Sequence, residues 1–260
     1  MNKTQQLFSY LRWFNIHVCN FMHIPTIIHW STVLVLVLFA IFNPSQALWL
    51  LIAYLSVIPH EYGHCAAARY FGIKTKQIIM YPVGGMAMLE RMPKEPIREL
   101  IVAAAGPAVT VVLTIIGFIG LVVSQWGVED GAAWIHSPGF FGRLFIINLG
   151  LLIFNMIPAF PMDGGRIFRA ILGWFTSYVK ATWWAARVGQ GICFGLGFLG
   201  FISMSPSLII VPMLIGMFAE KELAHVIMMD KREKALAEKK AKETEAEVVE
   251  VENAEEDHVP

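Results

Sequence analysis

The chain has 260 residues, of which 56% are apolar and 15% charged, with 20 basic and 20 acidic side chains and no net charge. An ordinary soluble domain carries roughly a quarter charged residues, so the composition argues against a water-soluble fold, and the balanced charge gives no reason to expect nucleic acid. Cys19, Cys65 and Cys193 are scattered without CxxC spacing, which argues against a disulfide framework or a cysteine-ligated zinc site.

The apolar residues fall in blocks. A membrane-crossing helix needs about 20 mostly apolar residues. In chain order the candidates are 27–42, 47–71, 100–123, 140–157, 183–203 and the short run 206–218. Residues 1–24 then form a cytoplasmic or interfacial segment. The first run has no small-residue cleavage pattern after it and reads as a retained span. His17, His23 and His29 lie near its interfacial end and read as surface or packing residues. The second run is unusual, because it carries His60, Glu61, His64 and Arg69. The third has Gly106-Pro107 near its start, and the fifth opens on Trp183 and Trp184, as an interfacial aromatic belt does.

Loop charge orients these spans. Residues 72–98 carry Lys74, Lys76, Arg91, Lys94 and Arg98, and residues 160–187 carry Arg166, Arg169, Lys180 and Arg187. Residues 124–139 hold only Glu129 and Asp130, and the turn at 203–207 has no charge. Positive loops stay in the cytoplasm. Six spans then put both termini inside, and a compact chain without organellar targeting is expected in a plasma membrane. Beyond residue 220 the character changes: 231–242 mixes Lys, Arg, Glu and Ala as an exposed helix does, and 243–257 carries acidic charge only. That tail, 221–260, reads as solubilising and partly disordered, or as a docking segment for a regulatory partner.

His60-Glu61-Tyr62-Gly63-His64 reads H-E-x-x-H. On a helix, positions i and i+4 share a face, so both imidazoles can reach one metal with the glutamate beside its water. Zinc suits two imidazoles and an oxygen ligand, and three ionisable groups in five residues of an apolar span need a shared partner. Two histidines leave zinc short of a ligand. Asp163 follows the fourth span in the run 154–166, where Pro158 and Pro161 prevent regular helix. Its carboxylate suits the N-cap of a helix over 164–175 and equally suits a metal; the missing third ligand favours the metal.

Residues 78–90 (IIMYPVGGMAMLE) form a β-rich stretch broken by Pro82, Gly84 and Gly85, soon after the metal helix. An extended edge there can hold substrate backbone by strand addition, or it can be a plain cytoplasmic hairpin. The fold class that emerges is an all-α polytopic membrane protein of about six spans, residues 25–220, with this short hairpin-like or re-entrant segment.

H-E-x-x-H in the second span, a Gly-Gly turn after it, Ala105-Gly106-Pro107 opening the third and N-x-x-P-x-x-P-x-D-G-G over 155–165 together resemble the site-2 protease family of intramembrane metalloproteases. The resemblance covers residues 25–220. It implies one zinc per chain held by His60, His64 and Asp163, with Glu61 as catalytic base, and hydrolysis within or beside a substrate's transmembrane helix. The substrates it implies are single-span membrane proteins. Asn155 matches the motif's asparagine, which would orient substrate backbone or the oxyanion; helix–helix glue is the plainer role, and it is the one expected of Asn148. No gap in the chain is long enough for the PDZ or CBS domain that some members carry.

Three other readings stand against this. Prenyl-protein proteases take a distant helical glutamate as third ligand, and no intramembrane glutamate follows Glu99. A catalytically silent, zinc-binding client-binding protein would be marked by loss of Glu61 or Asp163, and both are present. A zinc carrier would spread ligands along several spans.

Overall fold

The computed structural model describes residues 16–82, 84–125 and 138–256. The acidic loop residues Glu129 and Asp130 lie outside these, as does most of the segment 1–24.

A hairpin comes first. β1 (Ile16–Phe21) and β2 (Ile24–Ile28) pair antiparallel across Met22 and His23, both in the left-handed region at φ 55° and 61°. The chain then runs through α1 (Trp30–Phe42) and α2 (Pro44–Tyr70) and returns as β3 (Thr75–Tyr81) and β4 (Gly84–Leu89). β2 and β3 pair in parallel, Thr26 facing Ile78 and Ile28 facing Met80, while β3 and β4 are antiparallel. A parallel pair needs a long crossover, and the two helices supply it. The sheet order is β1-β2-β3-β4, so β4 is an edge strand.

The mainly helical expectation therefore holds in part, with a correction. The segment at 78–90 is not an isolated hairpin but half of a four-stranded sheet, and the expected first span loses its start at residue 27 to β2. The run Ile24-Pro25-Thr26-Ile27-Ile28 is β-branched, which suits a pleated strand, and apolar length alone does not separate strand from helix.

The sheet is bolted to α2. Ile24, Ile78 and Met80 pack with Tyr54, Tyr62 and Cys65 of α2 in one buried cluster. Polar ties reinforce it. The Thr32 hydroxyl and the His29 N–H both donate to the Met80 carbonyl, at 2.9 and 3.0 Å. Tyr54 donates to the Pro82 carbonyl at 3.0 Å, and the Tyr62 and Thr26 hydroxyls are hydrogen-bonded.

Proline at the first turn suits the start of α2, where an N–H is unsatisfied anyway. α3 (Pro96–Ser124) crosses α2 closely: a Cβ on Gly63 would stand 2.6 Å from the Ala105 carbonyl oxygen. α4 (Phe140–Asn155) crosses α3 at Gly117, whose Cβ would lie 2.6 Å from the Phe145 nitrogen, and ties to α2 through Asn148, which donates to Ser56 at 2.9 Å. Asn148 is thus the glue its sequence position suggests. A turn leads into α5 (Asp163–Gly173), then α6 (Tyr178–Ile202) and α7 (Pro206–Glu256). Phe160 of the turn is buried with Ala185 and Ala186 of α6 and Ala219 and Leu223 of α7. The apolar run 206–218 does not end as a separate helix: α7 continues unbroken into the charged segment, where 231–242 are exposed as expected.

Two helices, Pro96–Ser124 and Tyr178–Ile202, are long and apolar enough to cross a membrane, and Trp30–Phe42 and Phe140–Asn155 are shorter apolar helices. Large apolar side chains stand exposed around the bundle, among them Leu38, Phe39, Ile115, Phe118, Phe198 and Ile210. Exposed apolar surface of that extent marks a face for a membrane or for partner protein.

Gly63→Ala should lower stability by about 1–3 kcal/mol, because the α2–α3 crossing cannot take a methyl. Gly195→Ala, where a Cβ meets nothing within 4 Å, should be neutral or stabilising. Melting temperatures of the two variants in detergent check this.

Candidate metal centre

α2 carries His60, Glu61 and His64, and both histidines are buried, at 6% and 9% exposure. Each ring is held from behind by α3. His64 Nδ1 lies 2.7 Å from the Val102 carbonyl oxygen, which can only accept, so the ring proton sits on Nδ1. His60 Nδ1 lies 2.8 Å from Thr110 Oγ1, which also stands 3.3 Å from the Gly106 carbonyl oxygen, an arrangement in which the ring can donate from Nδ1. Both Nε2 atoms therefore present lone pairs. They face each other at 3.2 Å.

The third member arrives from a distant part of the chain. Asp163 Oδ2 is 3.1 Å from His60 Nε2 and 3.2 Å from His64 Nε2. These are ion-pair distances, yet with both protons on Nδ1 neither ring can donate to the carboxylate. Asp163 Oδ2 is accordingly a buried oxygen without a hydrogen-bond donor. With both rings protonated on Nδ1, three lone pairs turn on one point and repel one another unless a cation stands between. Edges of 3.1–3.2 Å match the edge of about 3.3 Å that ligands at roughly 2.0–2.1 Å from a tetrahedral zinc would have. The donor set, two imidazoles and a carboxylate, is one zinc takes. The residues fit that ion.

Glycines make the approach possible. A Cβ on Gly106 would collide with His64 Nε2 and stand 2.8 Å from His60 Nε2, so only glycine lets α3 pass there. Asp163 is the first residue of α5. Met162 occupies the N-cap position and no side chain caps the helix, which answers the choice left open by the sequence: the carboxylate is turned to the histidines. Ahead of it the turn is tight, with Ala159 N donating to Ile157 O at 2.7 Å and Met162 N to Ala159 O at 3.0 Å. A Cβ on Gly165 would meet the Ala159 carbonyl carbon at 2.7 Å, so α5 can begin only flush against that turn.

Glu61 is partly exposed, and its Oε2 accepts the Ala87 N–H of β4 at 2.8 Å. Gly85 lies next to it, where a Cβ would stand 2.8 Å from Glu61 Cγ. The stretch singled out in the sequence thus lies against the glutamate. Gly84 begins β4 at φ 145° and touches nothing that would exclude a side chain, so backbone conformation is what it supplies. Asn155 ends α4, and among the described residues no hydrogen bond links it to Glu61 or to the three ligands. Thr110, Val102 and Ala87 escape sequence reading, since two of the three act through backbone atoms and the third is one threonine in an apolar helix.

Residues 48–132 and 128–196 match the family model for Peptidase family M50. Zinc metalloprotease MJ0392 of Methanocaldococcus jannaschii is 37% identical over 80% of this chain and 60% of its own length. Stage IV sporulation protein FB of Bacillus subtilis is 28% identical over 68% of this chain and 60% of its own. The chain therefore spans less than two thirds of either relative. The solved structure titled Site-2 Protease from Methanocaldococcus jannaschii aligns with a TM-score of 0.59 at 37% identity, over 81% of this chain and 95% of that one.

Thr110→Val removes the hydroxyl that orients His60 and should weaken zinc binding by about 10–100-fold, the usual cost of losing a partner behind a ligand. Competition against a chromophoric chelator reads this directly.

Proposed function

The chain belongs to peptidase family M50, and from that membership we propose that it is an intramembrane zinc metalloendopeptidase cutting single-span membrane proteins within or next to their transmembrane segments. The observation that carries the proposal is the convergence of His60 Nε2, His64 Nε2 and Asp163 Oδ2 with Glu61 alongside, inside a bundle collared by apolar side chains.

His60, His64 and Asp163 would hold one zinc per chain. Zinc supplies Lewis-acid chemistry there, acidifying a water and polarising a carbonyl. Glu61 takes the proton of the attacking water and returns it to the leaving amine. The Ala87 N–H bond fixes one carboxylate oxygen and leaves the other for that proton. A helical substrate hides its carbonyls in hydrogen bonds, so it must be drawn out before it is cut. β4 is an edge strand beside Glu61, and an extended substrate segment adding to that edge would be presented to the base. Gly85, with no side chain against Glu61, keeps the approach open, Gly84 starts the strand, and Asn155 is assigned to substrate backbone.

In this reading α1, α2, α3, α4, α6 and the first part of α7 cross a plasma membrane, with both termini cytoplasmic. The support is the lysine- and arginine-rich loops at 72–98 and 160–187. The charged part of α7 would be open to a cytoplasmic partner.

Glu61→Gln should bind zinc as the wild type does while cleavage falls by about 10²–10⁴-fold. The assay is cleavage of a panel of single-span membrane proteins by purified protein, with zinc content measured in parallel. Unimpaired cutting by Glu61→Gln would overturn the assignment of the base. Wild-type protein that holds zinc, retains clients and cuts none would instead favour the silent client-binding reading.

A further inference from the structure

The metal ligands come from two separate parts of the chain. α2 supplies the histidines and α3 orients them, while Asp163 rides on the turn and α5. An ion cluster outside the site joins these parts. Arg169 of α5 is fully buried, and its Nε and Nη2 lie 2.7 and 2.6 Å from Oε1 of Glu99 on α3, itself 1% exposed. Nη1 donates to Glu222 of α7 at 2.9 Å. The guanidinium carbon lies 4.9 Å from the Phe160 ring centroid and 4.8 Å from that of Tyr178. Burial alone would favour the neutral form, but Glu99, Tyr178 and Glu222 more than offset it and hold the Arg169 pKa above its ordinary value.

Two of the residues that Arg169 touches, Phe160 and Glu99, lie on the segments that shape the metal site. Phe160 belongs to the turn that delivers Asp163. Glu99 begins a stripe on α3 that continues through Val102, Gly106 and Thr110, spaced so that all lie toward one side of the helix. Val102 orients His64, Gly106 admits both rings, and Thr110 orients His60. Among the described residues, Arg169–Glu99 is the ion pair that joins α3 to α5. An arginine buried at this depth is a costly way to join helices that apolar side chains could join, but its planar fork and the two rings it lies over fix its position.

Resting on the zinc reading above, we propose that Arg169 is a positioning residue for the metal: by pinning the turn and α5 to the α3 stripe it sets where Asp163 Oδ2 stands relative to the two histidines. Removing the pin leaves all three ligands in the chain but lets their mutual geometry relax.

The test uses the full chain in detergent, with zinc affinity from chelator competition and the visible absorption of the cobalt-substituted protein as readouts. Arg169→Met and Glu99→Gln should each weaken zinc binding by about 10–100-fold and shift the cobalt bands, and Arg169→Lys should recover part of the loss. Glu99→Gln keeps the shape and an acceptor, so it decides the matter if Arg169→Met does not fold. A folded Arg169→Met or Glu99→Gln protein with wild-type zinc affinity and unchanged cobalt bands, whatever its melting temperature, would overturn the positioning role. Wild-type protein that takes up neither zinc nor cobalt would overturn the zinc reading itself, a separate result.

Discussion

The fold is organised around the point where His60 Nε2, His64 Nε2 and Asp163 Oδ2 meet. Each imidazole is held from its far side, by Val102 and by Thr110, which turns both Nε2 atoms toward Asp163 Oδ2, and among the described residues no cationic side chain stands between the three. Such a convergence is unstable by itself and costly at low dielectric. It persists because rigid elements enforce it from three sides. α2 sets the spacing of the histidines, α3 closes against them at Gly106, and the turn before α5 brings the carboxylate across. Glycine recurs at these contacts for one reason: each is a place where a backbone must pass within a methyl's width of another group.

The sheet has a different task. An open strand edge exposes unpaired N–H and C=O groups, which are costly unless protein or water meets them. Here β2 and β3 are sealed to α1 and α2 through Thr32, His29 and Tyr54, which take up carbonyls at the end of β3. The Ala87 N–H of edge strand β4 is taken up by Glu61. One hydrogen bond thus serves two needs, since it satisfies a donor on the open edge and fixes the carboxylate beside the metal ligands.

Much of this was legible in the sequence, and the parts that were not share a cause. H-E-x-x-H carries its own geometry, because i and i+4 on any helix share a face, and Asp163 stood out as a carboxylate between prolines and glycines after an apolar run. Its alternative as a helix cap could be settled only by seeing Met162 in that position. The hairpin at 78–90 was visible from its β-branched residues and Gly84-Gly85. β1 and β2 were not, because Ile24–Ile28 runs directly into an apolar helix and a window of apolar residues has no period that marks the change. The groups behind the ligands were invisible for a different reason. Val102 and Ala87 act through backbone atoms that every residue has, and Arg169 reads in sequence as one more positive charge in a cytoplasmic loop. Only the structure, by burying it completely against Glu99, separates it from Arg166 and Lys180.

That division follows from the solvent. In water a bundle is held by the removal of apolar surface, a force without direction that leaves helix rotation and height loosely specified. In a bilayer the apolar side chains gain little by leaving lipid for protein, so association rests on close packing and on polar groups that need each other. The chain is built accordingly: Leu38, Phe118 and Phe198 face outward, while the inner contacts are glycine crossings, the Asn148–Ser56 bond, the Glu99–Arg169–Glu222 cluster and the ligand set. These contacts are directional, and each fails over a displacement of about an ångström. A helix bundle tied by them holds position and angle better than one held by apolar area, and a metal site assembled from two parts of the chain needs both.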